Sequence, residues 1–102
     1  MDFQVILSPL AQKDLREIVE YIASDNPFAA DRTAEEILAR LHNLEVFPRL
    51  GHVVPEFKEE SLREILYKSY RLIYRVIHTR KRIEIVRIWH GARGIPHLGP
   101  AF

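Results

Sequence analysis

The sequence predicts an α+β fold with the element order β-α-α-β-β-β, in which an antiparallel sheet packs on an N-terminal αα-hairpin. Two early stretches carry apolar residues at helical spacing, and each opens with a polar residue followed by proline. The second half of the chain instead alternates apolar and polar residues, as strands do. We expect residues 1–102 to form one domain, since that length suits a single core. Residues 94–102 are expected to be a loop or flexible tail.

The first half is predicted to hold one strand and both helices. Residues 2–7 alternate in hydrophobicity, which predicts a short strand. Ser8 precedes a proline and a stretch of apolar residues at helical spacing, so the first helix is expected to begin there. Asn26 also precedes a proline, and the second helix is predicted to run from this turn to Glu45. The short turn between the helices predicts that they pack antiparallel.

The second half is predicted to form three strands, at about Leu62–Tyr67, Tyr70–His78 and Arg82–His90. Their short connections predict antiparallel neighbours. Alternation divides the middle strand between a face that packs on the helices and a face that mixes cations with apolar groups. For Tyr74 and Trp89 we favour a place in the core, because aromatic side chains dominate small cores.

Charge is distributed unevenly along the chain, although the net charge is only +1. Residues 1–50 carry nine acidic and five basic side chains, whereas residues 51–102 carry five acidic and ten basic ones. The basic half coincides with the predicted strands. One face of the sheet is therefore expected to suit an anion or an acidic partner, unless the bias is a surface charge without function.

Composition argues against several classes of site. The chain has no cysteine, so a disulfide framework, a thiolate metal site and a cysteine nucleophile are all excluded. The histidines lack the spacing of metal ligands, and the glycines form no phosphate-binding loop, so we expect no metal and no cofactor. No apolar run approaches the roughly 20 residues of a membrane span. Without a signal-peptide pattern, a cytoplasmic protein is expected.

Arginines and aromatic residues alternate along the predicted strands. Guanidinium groups match phosphate geometry, and aromatic rings can stack on bases. The candidates for binding a target or a phosphate are Arg63, Arg71, Arg75, Arg87 and Arg93. Histidine side chains can take up or release a proton in catalysis, so His90 is a candidate general acid or base. If the chain cleaves RNA, its catalytic candidates are His90, Arg71 and Arg93, although no obvious base accompanies them. The alternative is that the arginines only solubilise the sheet.

A series of motifs resembles the RelE/ParE toxins of type II toxin–antitoxin systems, and ParE more closely. The matching segments are Ser8-Pro9 with Asp14-Leu15, the turn Asp25-Asn26-Pro27, the stretch from Tyr70 to Val76, and the ending Trp89-His90-Gly91-Ala92-Arg93. No single motif is specific, but their order and spacing together are. The resemblance covers residues 3–96 and implies the β-α-α-β-β-β fold that the residue pattern predicts.

The resemblance implies one of two activities. ParE-like members poison DNA gyrase, whereas RelE-like members cleave mRNA in the ribosomal A site. Arg63, Arg71 and Arg93 match basic positions that clamp phosphate in RelE-like members. However, Ile65 and Gly99 stand where a lysine and a tyrosine are expected. We therefore favour a ParE-like gyrase inhibitor, then a ribosome-dependent mRNA endonuclease, then an inactive toxin that acts only as an antitoxin-binding co-repressor.

The resemblance also implies a partner, a ParD- or RelB-like antitoxin that wraps around the toxin. A basic sheet and apolar grooves beside the helices suit an acidic, amphipathic segment of such a protein. The residues predicted to line the antitoxin groove are Leu15, Ile18, Val19 and Ile22. Operator DNA is expected to be bound only through the antitoxin complex, because no basic recognition helix is present.

Overall fold

A computed structural model describes residues 2–99 of the chain. Its helices are α1 (Pro9–Ala23) and α2 (Pro27–His42), and its strands are β1 (Gln4–Leu7), β2 (His52–Val53), β3 (Leu62–Tyr67), β4 (Tyr70–Ile77) and β5 (Arg82–His90). A single 3₁₀ turn follows each of α2, β4 and β5. The α+β class and the N-terminal helical hairpin are confirmed. Within residues 2–99, no helix combines the length and hydrophobicity needed to cross a membrane.

Both helices begin at the caps that the sequence predicts. Ser8 Oγ accepts a hydrogen bond from the Ala11 amide at 3.1 Å, and Asn26 Oδ1 accepts one from the Ala29 amide at 3.1 Å. Each bond satisfies an amide that the first helical turn leaves without a partner. The second helix was predicted to reach Glu45. In the structure α2 ends at His42, and the next three residues, up to Glu45, form a 3₁₀ turn.

The sheet has five strands in the order β1-β5-β4-β3-β2. The antiparallel arrangement predicted for the sheet holds from β2 to β5, whereas β1 pairs parallel with β5. Alternation shows which side chains of a strand share a face, but it does not show the direction of the strand relative to its neighbour. The parallel pairing of β1 with β5 therefore could not be predicted from the sequence. Strand β2 was missed because its two residues are too few to show a period.

Apolar side chains fill both faces of the sheet. The helices cover a cluster that includes Ala11, Ile37, Leu41, Leu44, Leu72, Tyr74, Ile83 and Ile85. The opposite face holds a second cluster of Val54, Leu62, Ile73, Val86, Trp89 and Leu98. The core positions favoured for Tyr74 and Trp89 are confirmed, with 0% and 1% of these residues exposed. Residues 94–99 have no regular secondary structure, and their Leu98 closes the second cluster; residues 100–102 lie outside the described part of the chain.

A β-bulge in β5 determines which of its side chains reach each cluster. Ile73 lies opposite Arg87 and Tyr74 lies opposite Ile85, so Val86 is the extra residue. As a result, Ile85 and Ile88 both pack toward the helices, although they are three residues apart. Simple alternation would assign them to opposite faces.

Gly51 is a position where no side chain fits. Its amide donates to Tyr74 Oη at 2.8 Å, and a Cβ atom added there would lie 2.4 Å from the Glu64 carbonyl oxygen. We expect Gly51→Ala to lower the free energy of unfolding by about 2 kcal/mol or more, because the backbone must move and the buried bond to Tyr74 weakens. Urea denaturation measures this. Gly91→Ala is the control, because its Cβ would meet only a backbone oxygen at 3.3 Å; equal stability of the two variants would contradict the prediction.

Candidate functional site

Arg87 holds α1 against the sheet. Its Nε and Nη2 donate to the two carboxylate oxygens of Asp14, each at 2.8 Å, and Nη1 donates to the His97 carbonyl at 2.6 Å. Arg87 and Asp14 are only 8% and 6% exposed. The prediction that Arg87 binds a target or phosphate does not agree with this position, because a buried guanidinium with a bidentate carboxylate partner has no face left for a ligand. Arg87 is a structural residue.

The guanidinium of Arg63 is also fully engaged in bonds within the protein. Its Nη1 donates to the Gly51 carbonyl at 2.8 Å, its Nε donates to the Glu60 carbonyl at 3.1 Å, and its Nη2 pairs with the Glu60 carboxylate. Arg63 is 9% exposed. These bonds fasten the chain on both sides of β2 to β3. The predicted phosphate-binding role of Arg63 therefore disagrees with its surroundings.

Arg71 lies between two carboxylates on the face of the sheet opposite the helices. Glu64 accepts from its Nε at 2.6 Å, and Glu56 accepts from its Nη1 and Nη2 at 2.8 and 2.7 Å. His52 Nε2 also lies 2.8 Å from Glu64. The two carboxylates raise the pKa of Arg71, and the hydrogen bonds from Arg71 lower the pKa of Glu56 to about 2. The guanidinium is thus already neutralised.

Two acidic residues that complete this cluster had little signal in the sequence. Glu64 is 2% exposed, so it is a buried carboxylate whose charge needs partners. Its scarcity was the available clue, because only Glu64 and Glu84 are acidic from Ser61 onward. Glu56 lies in the loop between β2 and β3, and no spacing rule connects a loop residue to a strand arginine.

Arg75 is half-buried in the middle of the same face. The strand register sets it opposite Leu62 of β3 and Glu84 of β5. It lines a hollow beneath the C-terminal segment together with Phe57, Pro96 and Leu98. Arg75 therefore lies at the edge of the second apolar cluster, away from Arg93.

A groove between α1 and the end of β5 gathers the remaining candidates. It has a volume of about 360 Å³, and we call it the His90 groove; its lining residues include Glu17, Ile18, Tyr21, Tyr70, His90 and Arg93. The His90 Nδ1 accepts from the Ala92 amide at 3.1 Å, and the His90 ring contacts Tyr70 edge to face with centroids 5.3 Å apart. This bond makes Nδ1 a hydrogen-bond acceptor and orients the ring.

Two further contacts define the chemistry of the His90 groove. The exposed Arg93 guanidinium lies over the Trp89 ring, 3.9 Å from its centroid. Burial raises the pKa of Tyr70, so this phenol stays protonated and can donate a hydrogen bond. Of the catalytic candidates, the structure brings His90 and Arg93 together and leaves Arg71 among its carboxylates on the other face.

The predicted antitoxin-binding residues of α1 divide among three surroundings. Leu15 packs against the helix-side core, Ile18 lines the His90 groove, and Ile22 lines a hollow at the tip of the helical hairpin. Val19 is half-buried. Tyr21, which sequence reasoning missed, is 81% exposed and borders both hollows. Its position three residues after Ile18 on one helix face was the available signal.

Metal ligation has no structural support in residues 2–99, where no three histidine, aspartate or glutamate side chains gather as ligands. The His90 groove contains one histidine and the carboxylates of Asp14 and Glu17. Of these, Asp14 is already bound to Arg87.

Comparison with known proteins identifies the family. The sequence model of a protein family, described as the ParE toxin of type II toxin–antitoxin system, parDE, matches residues 5–95. The chain belongs to this family. Toxin RelE1 of Caulobacter vibrioides is 28% identical over 91 residues, which cover 89% of this chain and 96% of that protein.

Solved structures share the fold. The chromosomal ParDE system of P. aeruginosa superposes with a TM-score of 0.70 at 21% identity, covering 86% of this chain and 95% of that one. The RelBE2 toxin–antitoxin complex of Mycobacterium tuberculosis gives 0.65 at 20% identity, covering 88% and 99%. An arginine-to-alanine mutant of E. coli RelE in the free state gives 0.66 at 16% identity, covering 92% and 88%. The resemblance to RelE/ParE toxins is thereby confirmed.

The Asp14–Arg87 pair predicts a large loss of stability when one partner is removed. Asp14→Ala leaves a buried guanidinium without its counter-ion, and we expect it to lower the free energy of unfolding by about 3–5 kcal/mol. The double variant Asp14→Ala/Arg87→Met removes both charges and should recover at least about 1 kcal/mol of this loss. Urea denaturation measures both variants. A double variant less stable than Asp14→Ala would refute the burial argument.

The Glu56–Arg71 pair predicts a pH dependence. Glu56 has a pKa of about 2 when folded and an ordinary value of 4.5, so its contribution to stability is complete above pH 4.5 and is lost as the pH falls toward 2. We expect the free energy of unfolding to fall less steeply in Glu56→Gln than in the parent over this range. Denaturant titrations at several pH values measure the slope. Glu59→Gln, an exposed change in the same loop, should keep the parent slope; a parent-like slope in Glu56→Gln would contradict the prediction.

Proposed function

We propose that this protein is a ParE-like toxin that inhibits DNA gyrase by binding it and that a cognate antitoxin neutralises it. The observation that carries the proposal is the internal neutralisation of the sheet arginines. Arg63 is bonded to Glu60, and Arg71 is bonded to Glu56 and Glu64. These are two of the three arginines that match the RelE-like phosphate clamp.

Cleavage of RNA requires free cations to stabilise the charge that develops on the phosphorane, with a base and an acid on either side. A phosphate entering at Arg71 would displace Glu56 and would still face the buried Glu64 carboxylate. One guanidinium against two carboxylates leaves this cluster with no net positive charge to attract a phosphate. Of the three arginines that match the clamp, Arg93 is the exposed one, and it lines the groove with His90. The cation arrangement therefore favours a toxin that acts by binding a protein.

The antitoxin is proposed to dock along α1. Ile18, Tyr21 and Ile22 form an apolar strip that continues from the His90 groove to the tip of the hairpin. Anchor side chains of a partner helix or extended segment fit such a strip. Arg93 and His90 at one end suit acidic groups of that segment. Leu15 packs against the core, as Ile18 also does, but it does not line either hollow.

A plasmid supercoiling and cleavage assay with purified gyrase tests the proposal. We expect the folded protein to abolish supercoiling or to accumulate cleaved plasmid. His90→Ala should inhibit gyrase within about threefold of the parent, since binding a protein needs no proton transfer at that residue. Absence of any effect from protein shown to be folded would overturn the proposal.

The second candidate is a ribosome-dependent mRNA endonuclease centred on the His90 groove. Its supporting observation is that His90, Arg93 and Glu17 line one cavity, which offers an acid, a cation and a base. Under this candidate, His90→Ala keeps the fold but abolishes growth arrest together with RNA cleavage. A fully toxic His90→Ala would exclude it. An unaltered cell growth on expression of the parent would instead favour an inactive toxin that serves as co-repressor.

A further inference from the structure

The turn that joins β4 to β5 concentrates cations that have no counter-ion. We call residues 78–82, with the sequence His-Thr-Arg-Lys-Arg, the basic turn; they comprise the connection itself and Arg82, the first residue of β5. Residues 78–81 are exposed, and Arg82 is half-buried. Within residues 2–99, no carboxylate lies within ion-pair distance of Arg80, Lys81 or Arg82.

Several other cations of residues 51–102 differ from those of the basic turn, because they have partners. Arg63, Arg71, Arg87 and Lys68 each pair with a carboxylate, and Arg93 lies over Trp89. Carboxylates thus pair with four of these cations, whereas Arg80, Lys81 and Arg82 have no ion pair within residues 2–99. The Arg82 Nε is also buried and has no hydrogen-bond partner among the described residues. The basic turn therefore combines three cations without an ion pair among the described residues with one donor that no described group satisfies.

The aromatic groups near the basic turn are occupied. Phe3 and His78 contact each other edge to face with ring centroids 5.8 Å apart, and the Lys81 ammonium lies 5.0 Å from the centre of the Phe3 ring. Phe3 is half-buried and already contacts Lys81 and His78, so this ring is a poor platform for stacking the bases of a single-stranded nucleic acid. Clustered exposed cations match the evenly spaced phosphates of a duplex instead.

We propose that the basic turn binds the phosphate backbone of duplex DNA without sequence preference. This goes beyond the proposed function and does not rest on it. The contact is weak by itself, because the net charge of the chain is only +1. It adds affinity once a partner has brought the toxin to DNA. It is also separate from the His90 groove, since residues 82 and 90 lie at opposite ends of β5, about 26 Å apart at the usual strand rise.

Fluorescence anisotropy with the purified full chain and a labelled 20-base-pair duplex of mixed sequence tests the proposal. The variant Arg80→Gln/Lys81→Asn/Arg82→Gln removes the three charges. Asn suits position 81, where the backbone has a left-handed φ of 49°. Three phosphate contacts predict that log K falls with log salt at a slope of about −2.7. We expect the variant to bind at least about tenfold more weakly at low salt and to lose most of that slope.

The matched control is Lys13→Gln/Arg16→Gln/Arg32→Gln, which removes three exposed charges from the helices. It should change DNA affinity by less than about threefold. Circular dichroism and thermal melting establish that both variants fold. The proposal is overturned if the control weakens binding as much as the basic-turn variant, if the parent shows no duplex binding at low salt, or if single-stranded RNA of equal length binds more tightly than the duplex.

Discussion

The bidentate pair between Asp14 and Arg87 is the interaction on which the rest of the structure depends. Strand β1 ends opposite Ile85, so the outer edge of β5 beyond that point has no partner strand. Asp14 accepts from the Ile88 amide at 2.9 Å, and Ser8 Oγ donates to the Val86 carbonyl at 3.0 Å. The start of α1 thereby satisfies backbone groups that an exposed strand edge would leave open.

The same pair connects three parts of the chain. Arg87 belongs to β5, and its guanidinium bonds both to Asp14 of α1 and to the His97 carbonyl of the C-terminal segment. Trp89 extends this connection, because its indole Nε1 donates to the Gly94 carbonyl and its ring contacts the Arg87 and Arg93 guanidinium groups. The wall of the His90 groove is therefore held by a buried ion pair. A buried pair of this kind specifies one arrangement, because any other leaves a charge without compensation.

Carboxylates neutralise arginines of the sheet, and this neutralisation is the basis of the proposed function. A basic sheet would suit a phosphate clamp, but the carboxylates of Glu56, Glu60 and Glu64 occupy the guanidinium groups that would form it. Two surfaces within residues 2–99 are the ones that we propose bind partners. The His90 groove and the α1 strip beside it combine apolar anchors with a small cationic end, as protein interfaces do. The basic turn offers charge without apolar anchors, which suits a polyanion.

Local patterns in the sequence determined the elements and most of the core. Polar caps before prolines set the starts of both helices, and alternation predicted β3 and β5 to the residue, because these signals depend only on near neighbours. The core positions of Tyr74 and Trp89 follow from the same patterns. Tertiary structure decided the parallel pairing of β1, the bulge at Val86 and the partners of Arg63, Arg71 and Arg87. Asp14 and Arg87 are 73 residues apart in the chain, and Glu56 and Arg71 are 15 apart. An ion pair across such a separation depends on where the fold brings the two side chains, and no local pattern carries that information.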